Sequence, residues 1–308
     1  MKNIPAITVS CIRDLPLQEL QAQSIYNYLD KDCPVYIIVN EIDPAPWFEK
    51  FDSSIRKYYK DHNLTIFTLD DFSGDWGQWH TYPRHPWIAG WEKQQILKLL
   101  VATKLKDRSY LVLDSQNFLI RSWSPISLYT KGDRIPTRTG EYVMPERTWV
   151  EYSKALGINI KLPNDNTMSI CTPIFLATKP IKKLVKTQGD SKSFVDWFKS
   201  IAVTKSEFVL YLLWLKKNNE YEKYHFTIDM IKDWGHPYLR DCNKNEDFEH
   251  FMKWLGQHEY HCWASINFRA WGNMTDSQYK NLISQLQSYN LDPNFDEFRS
   301  WFQETKLK

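Results

Sequence analysis

A short polar turn follows an apolar run in the first half of the chain. Residues 110–114 read YLVLD, and Ser115, Gln116 and Asn117 come directly after the acid. A carboxylate at the end of a buried strand can bind a divalent cation, or accept a charge-assisted hydrogen bond from a ribose hydroxyl. The competing interpretation is that Asp114 only caps a turn, because Asp and Asn favour turns. The position at a strand end favours the ligand-binding interpretation.

A second polar group comes just before this strand, in GWEKQQILKLLVATKL, residues 90–105. Helical spacing of three, four and seven residues places four of its side chains on one face: Trp91, Gln94, Gln95 and Lys98. Such a face can hold a nucleotide or sugar hydroxyls. It can equally be a solvated face, from which Lys98 extends its ammonium into water.

Two further segments carry polar residues beside apolar ones. Glu207 follows Ser206, a predicted N-cap, at the start of the apolar helix VLYLLWL, where the helix dipole alone would stabilise an acid. The segment HEYHCWASINFRAW, residues 258–271, is strand-like. If it is extended, alternate side chains share a face, namely Trp263, Ser265, Asn267 and Arg269.

The elements that must position these residues alternate between strands and helices. Helical patterns at 15–29, 48–59 and 88–105 separate apolar runs at 6–12, 35–40, 64–72 and 110–114. This alternation predicts a mostly parallel sheet covered by helices on both faces. Ligands bind such sheets at the carboxyl ends of the strands. The segments to inspect are therefore Ser10–Arg13, Asn40–Asp43, Asp70–Asp71 and Asp114–Asn117.

The second half of the sequence is mixed. A strand pattern with a turn at Pro173 occupies 166–179, and helical patterns follow at 180–187, 193–201, 206–217, 245–256 and 275–289. We therefore predict an α/β fold whose C-terminal half is mixed α+β. The predicted organisation is one domain over 1–308, in which 1–125 bind the nucleotide part of a ligand and 126–308 form the other half.

Several classes of protein are excluded by what the sequence lacks. There is no GxGxxG turn after the first strand and no GxxxxGK[ST] loop, so neither a dehydrogenase-type domain nor a P-loop NTPase is predicted. A net charge of +2 gives no electrostatic case for a nucleic-acid partner. No apolar run is long enough to span a bilayer or to act as a signal peptide, which predicts a cytoplasmic protein without a transmembrane segment.

The blocks GW..QQILKL and YLVLDSQNFLIR resemble the core of GT-A-type glycosyltransferases, especially bacterial and phage proteins tied to surface polysaccharide. Later blocks extend the resemblance over most of residues 6–280. It implies a GT-A-like, Rossmann-like sheet and a nucleotide-sugar donor. In that family an acidic DxD motif ends the strand, the first acid contacting ribose or a metal and the last binding the metal on the diphosphate. Asp114 fits the first position, and Gln116 replaces the last acid.

The resemblance also implies roles for residues outside the turn. Glu207 would face the acceptor and act as general base. His261 would bind the metal or the diphosphate, and Arg269 could bind the diphosphate without a metal. Arg13, Lys98 and Arg121 are other cations that could stabilise the leaving diphosphate. The structural alternative for His258 and His261 is a hydrogen-bonded histidine without a ligand.

An aromatic segment completes the predicted binding groove. Residues 70–91 contain four Trp, two His and two Pro, which no regular core element resembles. Asp70 or Asp71 is predicted to contact the donor. The aromatic residues predicted to line the groove are Trp76, Trp79, Tyr82 and Trp87.

The predicted function is transfer of a sugar from a nucleotide-sugar to a hydroxyl on a glycan or glycoconjugate. Asp114 would contact the donor, with Gln116 and Asn117 beside it. Mn²⁺ or Mg²⁺ would be a cofactor only if Asp114, without a second acid at position 116, suffices to bind the ion. A carbohydrate- or nucleotide-sugar-binding protein without catalysis is the alternative that Gln116 keeps open. Hydrolysis by paired carboxylates fits less well, since only Asp114 and Glu207 suggest themselves.

Overall fold

The computed structural model of this protein describes ten segments of the chain. These are residues 4–77, 86–124, 134–138, 145–159, 172–201, 205–228, 237–240, 242, 244–257 and 262–292. His261, Trp79 and Tyr82, which we predicted to bind ligand, lie outside the described residues, as does the side chain of Trp87.

Strands and helices alternate through the first half, as the hydrophobic pattern predicts. The described strands are β1 (Ala6–Ser10), β2 (Val35–Val39), β3 (Leu64–Phe67), β4 (Ser109–Asp114), β5 (Asn117–Leu119), β6 (Ile135–Arg138), β7 (Ile174–Ala177), β8 (His225–Ile228), β9 (Tyr238–Leu239) and β10 (Trp263–Ile266). The described α-helices are α1 (Leu15–Tyr28), α2 (Ala45–Lys50), α3 (Pro86–Leu100), α4 (Glu146–Ala155), α5 (Thr178–Thr187), α6 (Ser191–Ser200), α7 (Glu207–Lys217), α8 (Tyr221–Tyr224), α9 (Asn245–Gln257), α10 (Phe268–Asn273) and α11 (Asp276–Ser288).

The central sheet has the strand order β3-β2-β1-β4-β7. The first four strands are parallel to one another, and β7 pairs with β4 in the antiparallel direction. The strands β1, β4 and β7 are almost entirely buried, which is typical of a sheet with helices on both faces. The predicted α/β class with a mostly parallel sheet is therefore confirmed.

The third strand is shorter than predicted. β3 ends at Phe67, and Leu69–Asp71 form a 3-10 turn instead of continuing the strand to residue 72. The turn is closed by a capping box, in which the Asp71 carboxylate accepts a 2.7 Å hydrogen bond from the backbone nitrogen of Thr68. A short polar side chain that satisfies a local donor competes with the strand ladder, and here it ends the strand.

The second half contains two smaller sheets, with the orders β5-β10-β9 and β6-β8. Helices α9, α10 and α11 pack against the first of these through a cluster that includes Leu255, Trp271 and Leu282. Helix α7 is buried from Glu207 to Leu215 and lies against α3 and α4. The prediction of a mixed second half is confirmed for the described segments.

The segment 258–271 differs from its predicted extended form. Among its described residues, 262–271, Trp263–Ile266 form the strand, and the strand ends there because the Asn267 side chain accepts a 3.0 Å hydrogen bond from the Arg269 nitrogen and caps helix α10. The prediction that Arg269 shares a strand face with Trp263 is therefore wrong. None of the helices in the described part of the chain is long and apolar enough to cross a membrane.

Candidate functional site

Lys98 lies at the centre of a cluster of buried charges below the carboxyl edge of the central sheet. Its ammonium is 2.6 Å from Oδ1 of Asp114, at the end of β4, and 3.0 Å from Oε1 of Glu207, in the first turn of α7. The ring of Phe208 lies 5.6 Å from the same nitrogen. The side chains of Lys98 and Glu207 are 3% and 1% exposed, whereas that of Asp114 is 26% exposed. The cluster therefore opens to solvent through Asp114.

The helix face that contains Lys98 is only partly open. Trp91 is 38% exposed, but Lys98 and Gln95 are buried, and the Gln95 side chain donates to the carbonyl oxygen of Trp91. Gln94 donates to the carbonyl oxygen of Val9, the residue paired with Asp114 across β1 and β4. The solvated alternative for Lys98 is thus wrong, because the lysine points into the sheet rather than into water.

The pKa values of the cluster follow from its burial. Burial alone would lower the pKa of Lys98, but the Asp114 and Glu207 carboxylates outweigh it and raise that pKa well above its usual range. Burial raises the pKa of Glu207 to about 7, since it outweighs the lowering by Lys98, and Asp114 adds to the rise. The Lys98 ammonium is the charged group that the Glu207 carboxylate contacts in the described part of the chain.

Asp114 is held on its second oxygen by a residue that the sequence patterns missed. The hydroxyl of Thr172 donates a 2.7 Å hydrogen bond to Oδ2 of Asp114. The register of β4 and β7 pairs Val112 with Ile174, so continuing the antiparallel pairing places Thr172 opposite Asp114. The signal in the sequence was the polar residue before the strand IFLA, but its meaning depends on a strand pairing that local patterns do not reveal.

Asn117 holds the backbone of the turn. Its side-chain oxygen accepts a 2.6 Å hydrogen bond from the Asp114 nitrogen, and its side-chain nitrogen donates to the hydroxyl of Ser265 and, at 3.3 Å, to the Thr172 carbonyl oxygen. The buried Gln21 of α1, also missed, donates to the carbonyl oxygens of Asp114 and Asn117 at 2.7 and 3.0 Å. Asn117 therefore joins the small sheet to the central one, and its predicted place beside Asp114 is a supporting one.

We predict that Asn117→Ala lowers the free energy of unfolding by about 2 kcal/mol, because the buried nitrogen of Asp114 and the Ser265 hydroxyl each lose a partner. Chemical denaturation of the variant and of Asn63→Ala, at an exposed asparagine, measures the loss. Equal effects of the two substitutions would contradict the role assigned to Asn117.

Gln116 lies in the turn, and its side chain contacts a second amide. The side-chain nitrogen of Asn267 is 3.4 Å from the Gln116 oxygen and 3.3 Å from the Tyr238 hydroxyl. Exposed Arg269 follows Asn267 in the first turn of α10, and exposed Arg13 follows β1 at the carboxyl edge. The described part of the chain brings together no group of three His, Cys, Asp or Glu residues that could hold a metal ion.

Two predicted contacts lie elsewhere. Asp71 caps its own turn after β3, which is three strand spacings, or about 14 Å, from β4. Trp76 is only 8% exposed, and its ring nitrogen donates to the carbonyl oxygen of Phe72 at 3.0 Å. Trp76 is therefore a core residue rather than the lining of a groove.

Apolar side chains surround the carboxyl edge. The large hydrophobic residues that the described segments expose are Ile12, Ile42, Trp91 and Tyr238. The Ile12 nitrogen donates to the Glu41 carboxylate, and the Asn40 side chain donates to the carbonyl oxygen of Gly90. These bonds place the ends of β1 and β2 and the start of α3 next to one another. A polar cluster with an apolar rim is typical of a ligand-binding cleft.

Comparisons with known proteins identify the fold. The structure of the bifunctional glycosyltransferase WbbM matches 92% of this chain with a TM-score of 0.51 and 12% identity, and this chain spans half of that one. The galactosyltransferase LgtC, solved with donor and acceptor sugar analogs, matches 97% of this chain and is itself covered completely, with a TM-score of 0.50 and 11% identity. The GT-A-type fold implied by the sequence resemblance is confirmed.

The sequence itself gives a narrower result. No curated protein matches the chain. The profile of one family, described as a family of unknown function, matches residues 2–292. The chain therefore belongs to the family of unknown function DUF6492.

Proposed function

We propose that this protein transfers a sugar from a nucleotide-sugar donor to a hydroxyl of a glycan or glycoconjugate acceptor. The observation that carries the proposal is the Lys98 ammonium held between Asp114 and Glu207, where the carboxyl ends of parallel strands form the binding edge. The fold shared with WbbM, a bifunctional glycosyltransferase, and LgtC, a galactosyltransferase, supports the same class of reaction.

Asp114 is the residue proposed to contact the donor. Lys98 and Thr172 fix its two oxygens, and a quarter of the side chain stays open to solvent. A carboxylate oxygen has more than one acceptor site, so Asp114 can still accept a hydroxyl of ribose or of the transferred sugar. Because its position is fixed before the ligand arrives, little ordering is needed on binding.

Glu207 has two proposed roles that differ in what they require. A general base must reach the acceptor hydroxyl, and a pKa near 7 suits that task at neutral pH. The absence of exposed surface on Glu207 instead supports a positioning role, in which it holds Lys98 against Asp114. A base role predicts that Glu207→Gln removes the acidic limb of the pH profile of kcat/KM. A positioning role predicts weaker donor binding at every pH.

The proposal is tested by thermal stabilisation with UDP-, GDP-, CMP- and TDP-sugars, followed by isothermal titration with the donor that gives the largest shift. We expect one donor class to bind and Asp114→Asn to weaken its binding about 10–100-fold, because a hydrogen bond to a charged acceptor contributes about 1.5–3 kcal/mol. Asp61→Asn, at an exposed acid before β3 on the opposite edge of the sheet, is the matched control and should bind normally.

The outcomes distinguish three interpretations of the site: no donor binding, a glycosyltransferase, and a binding protein without catalysis. No stabilisation by any donor would contradict the proposed function. Binding followed by release or transfer of the sugar, lost in Asp114→Asn, would support the enzyme. Binding without any turnover would favour the alternative, a nucleotide-sugar-binding protein without catalysis, for which the amide at Gln116 is the supporting observation.

A further inference from the structure

The charge of Asp114 is already matched by a cation of the protein itself. The Lys98 ammonium lies 2.6 Å from one carboxylate oxygen, and the Thr172 hydroxyl occupies the other. A divalent ion bound to Asp114 would have to lie close to this buried ammonium, and the two positive charges would repel each other. Glu207 cannot relieve the conflict, since its side chain is 1% exposed and its carboxylate already contacts the Lys98 ammonium.

The side chains next to Asp114 offer uncharged ligand atoms to a metal ion. Gln116 stands where the DxD pattern has its last acid, and its amide oxygen is paired with the amide nitrogen of Asn267. Mn²⁺ and Mg²⁺ are hard cations that bind through carboxylates, and each lost charge weakens the site. His261, outside the described residues, could supply a neutral ligand at most and would add no negative charge. The ligand atoms that the described residues offer at this site do not fit a divalent cation.

We infer that the site binds the diphosphate of its donor without a divalent metal ion, because Lys98 already neutralises Asp114 and the amide pair Gln116–Asn267 stands in place of a second acid. This inference rests on the proposed function and specifies its chemistry. The negative charge of the diphosphate is then met by protein cations at the same edge. Arg269 is the nearest in sequence to the amide pair, and its backbone nitrogen is bonded to Asn267.

The test compares binding of UDP and GDP to the full chain, by isothermal titration, in buffer with Mn²⁺ and in buffer with EDTA. We expect the better of the two nucleotides to bind with dissociation constants that agree within about twofold in both buffers. A loss of affinity of about tenfold or more in EDTA would overturn the inference. Arg269→Ala should weaken the same nucleotide equally in both buffers if the guanidinium meets the diphosphate.

A second measurement keeps this inference separate from the proposed function. Electron paramagnetic resonance of free Mn²⁺ shows whether the protein alone takes up the ion. No stoichiometric uptake supports the inference, and uptake that Asp114→Asn abolishes overturns it. If neither nucleotide nor any sugar donor binds in either buffer, the proposed function fails, and the Mn²⁺ measurement still decides whether a cation site exists at Asp114.

Discussion

Lys98→Met is expected to lower the free energy of unfolding by about 3–5 kcal/mol at pH 8, the cost of leaving buried charge without its partner. Methionine keeps most of the apolar stem of lysine but removes the ammonium that Asp114 and Glu207 share. Urea denaturation followed by tryptophan fluorescence measures the change. The substitution does not open a large cavity, so the loss reports mainly on charge.

Two further variants identify the cause of that loss. Lys106→Met, at an exposed lysine beyond α3, should change stability by less than about 0.5 kcal/mol. Adding Glu207→Gln to Lys98→Met should recover part of the stability, since one buried carboxylate is then neutral. If the double variant is as unstable as the sum of the two single variants, the shared ion pair does not explain the effect.

Glu207→Gln should change how stability depends on pH. Burial raises the pKa of Glu207 from its ordinary 4.5 to about 7, so the folded protein holds this proton more tightly than the unfolded chain. The stabilising contribution of the proton is complete below about pH 4.5 and is lost as pH rises through 7. The stability of the natural protein relative to Glu207→Gln should therefore fall by about 3 kcal/mol between pH 4.5 and 8.

Denaturation of both proteins across that pH range checks this prediction. Glu49→Gln, at an exposed acid of α2, is the control, and its difference from the natural protein should stay nearly constant. A difference that stays flat with pH would mean that the folded-state pKa of Glu207 is ordinary, and one that rises with pH would mean that it is lowered. The buried cluster would then carry two full negative charges at neutral pH.

The sequence predicts the central sheet because its signals are local. Apolar runs such as 35–40 and 110–114 are short, rich in β-branched or large residues and separated by helical spacing. The cap at Ser206 has a local signature as well, and the Ser206 hydroxyl accepts from the Val209 nitrogen as expected. Ligands bind at the carboxyl ends of parallel strands, and this rule depends only on strand direction. It therefore predicts the position of Asp114 correctly.

The partners of Asp114 could not be predicted in the same way. Thr172 contacts Asp114 because β7 pairs with β4 in an antiparallel register. Gln21 contacts Asp114 from α1, 93 residues earlier in the sequence. Helical spacing predicts the face on which Lys98 lies, but it does not distinguish a buried lysine from a solvated one. Lys98 is buried where α7 brings Glu207 against it, and local sequence patterns do not predict where α7 packs.

The errors have a local physical cause. The alternation through residues 263–269 predicts a strand that includes Arg269, but the Asn267 side chain competes for the backbone and starts a helix. The apolar run 64–72 likewise predicts that Asp71 lies at a strand end, but its side chain caps a turn. In both cases a short polar side chain ended a strand before the hydrophobic pattern ended.

The bond between Asn117 and Ser265 has a consequence for the order in which the protein forms. The two residues are 148 positions apart, so the hydrogen bond between them cannot form until most of the chain has left the ribosome. Strands β1, β2, β3 and β4 can pair well before that, as their contacts are closer in sequence. A growing chain can therefore pair its parallel strands before it forms the Ser265 contact that completes the support of the Asp114 turn.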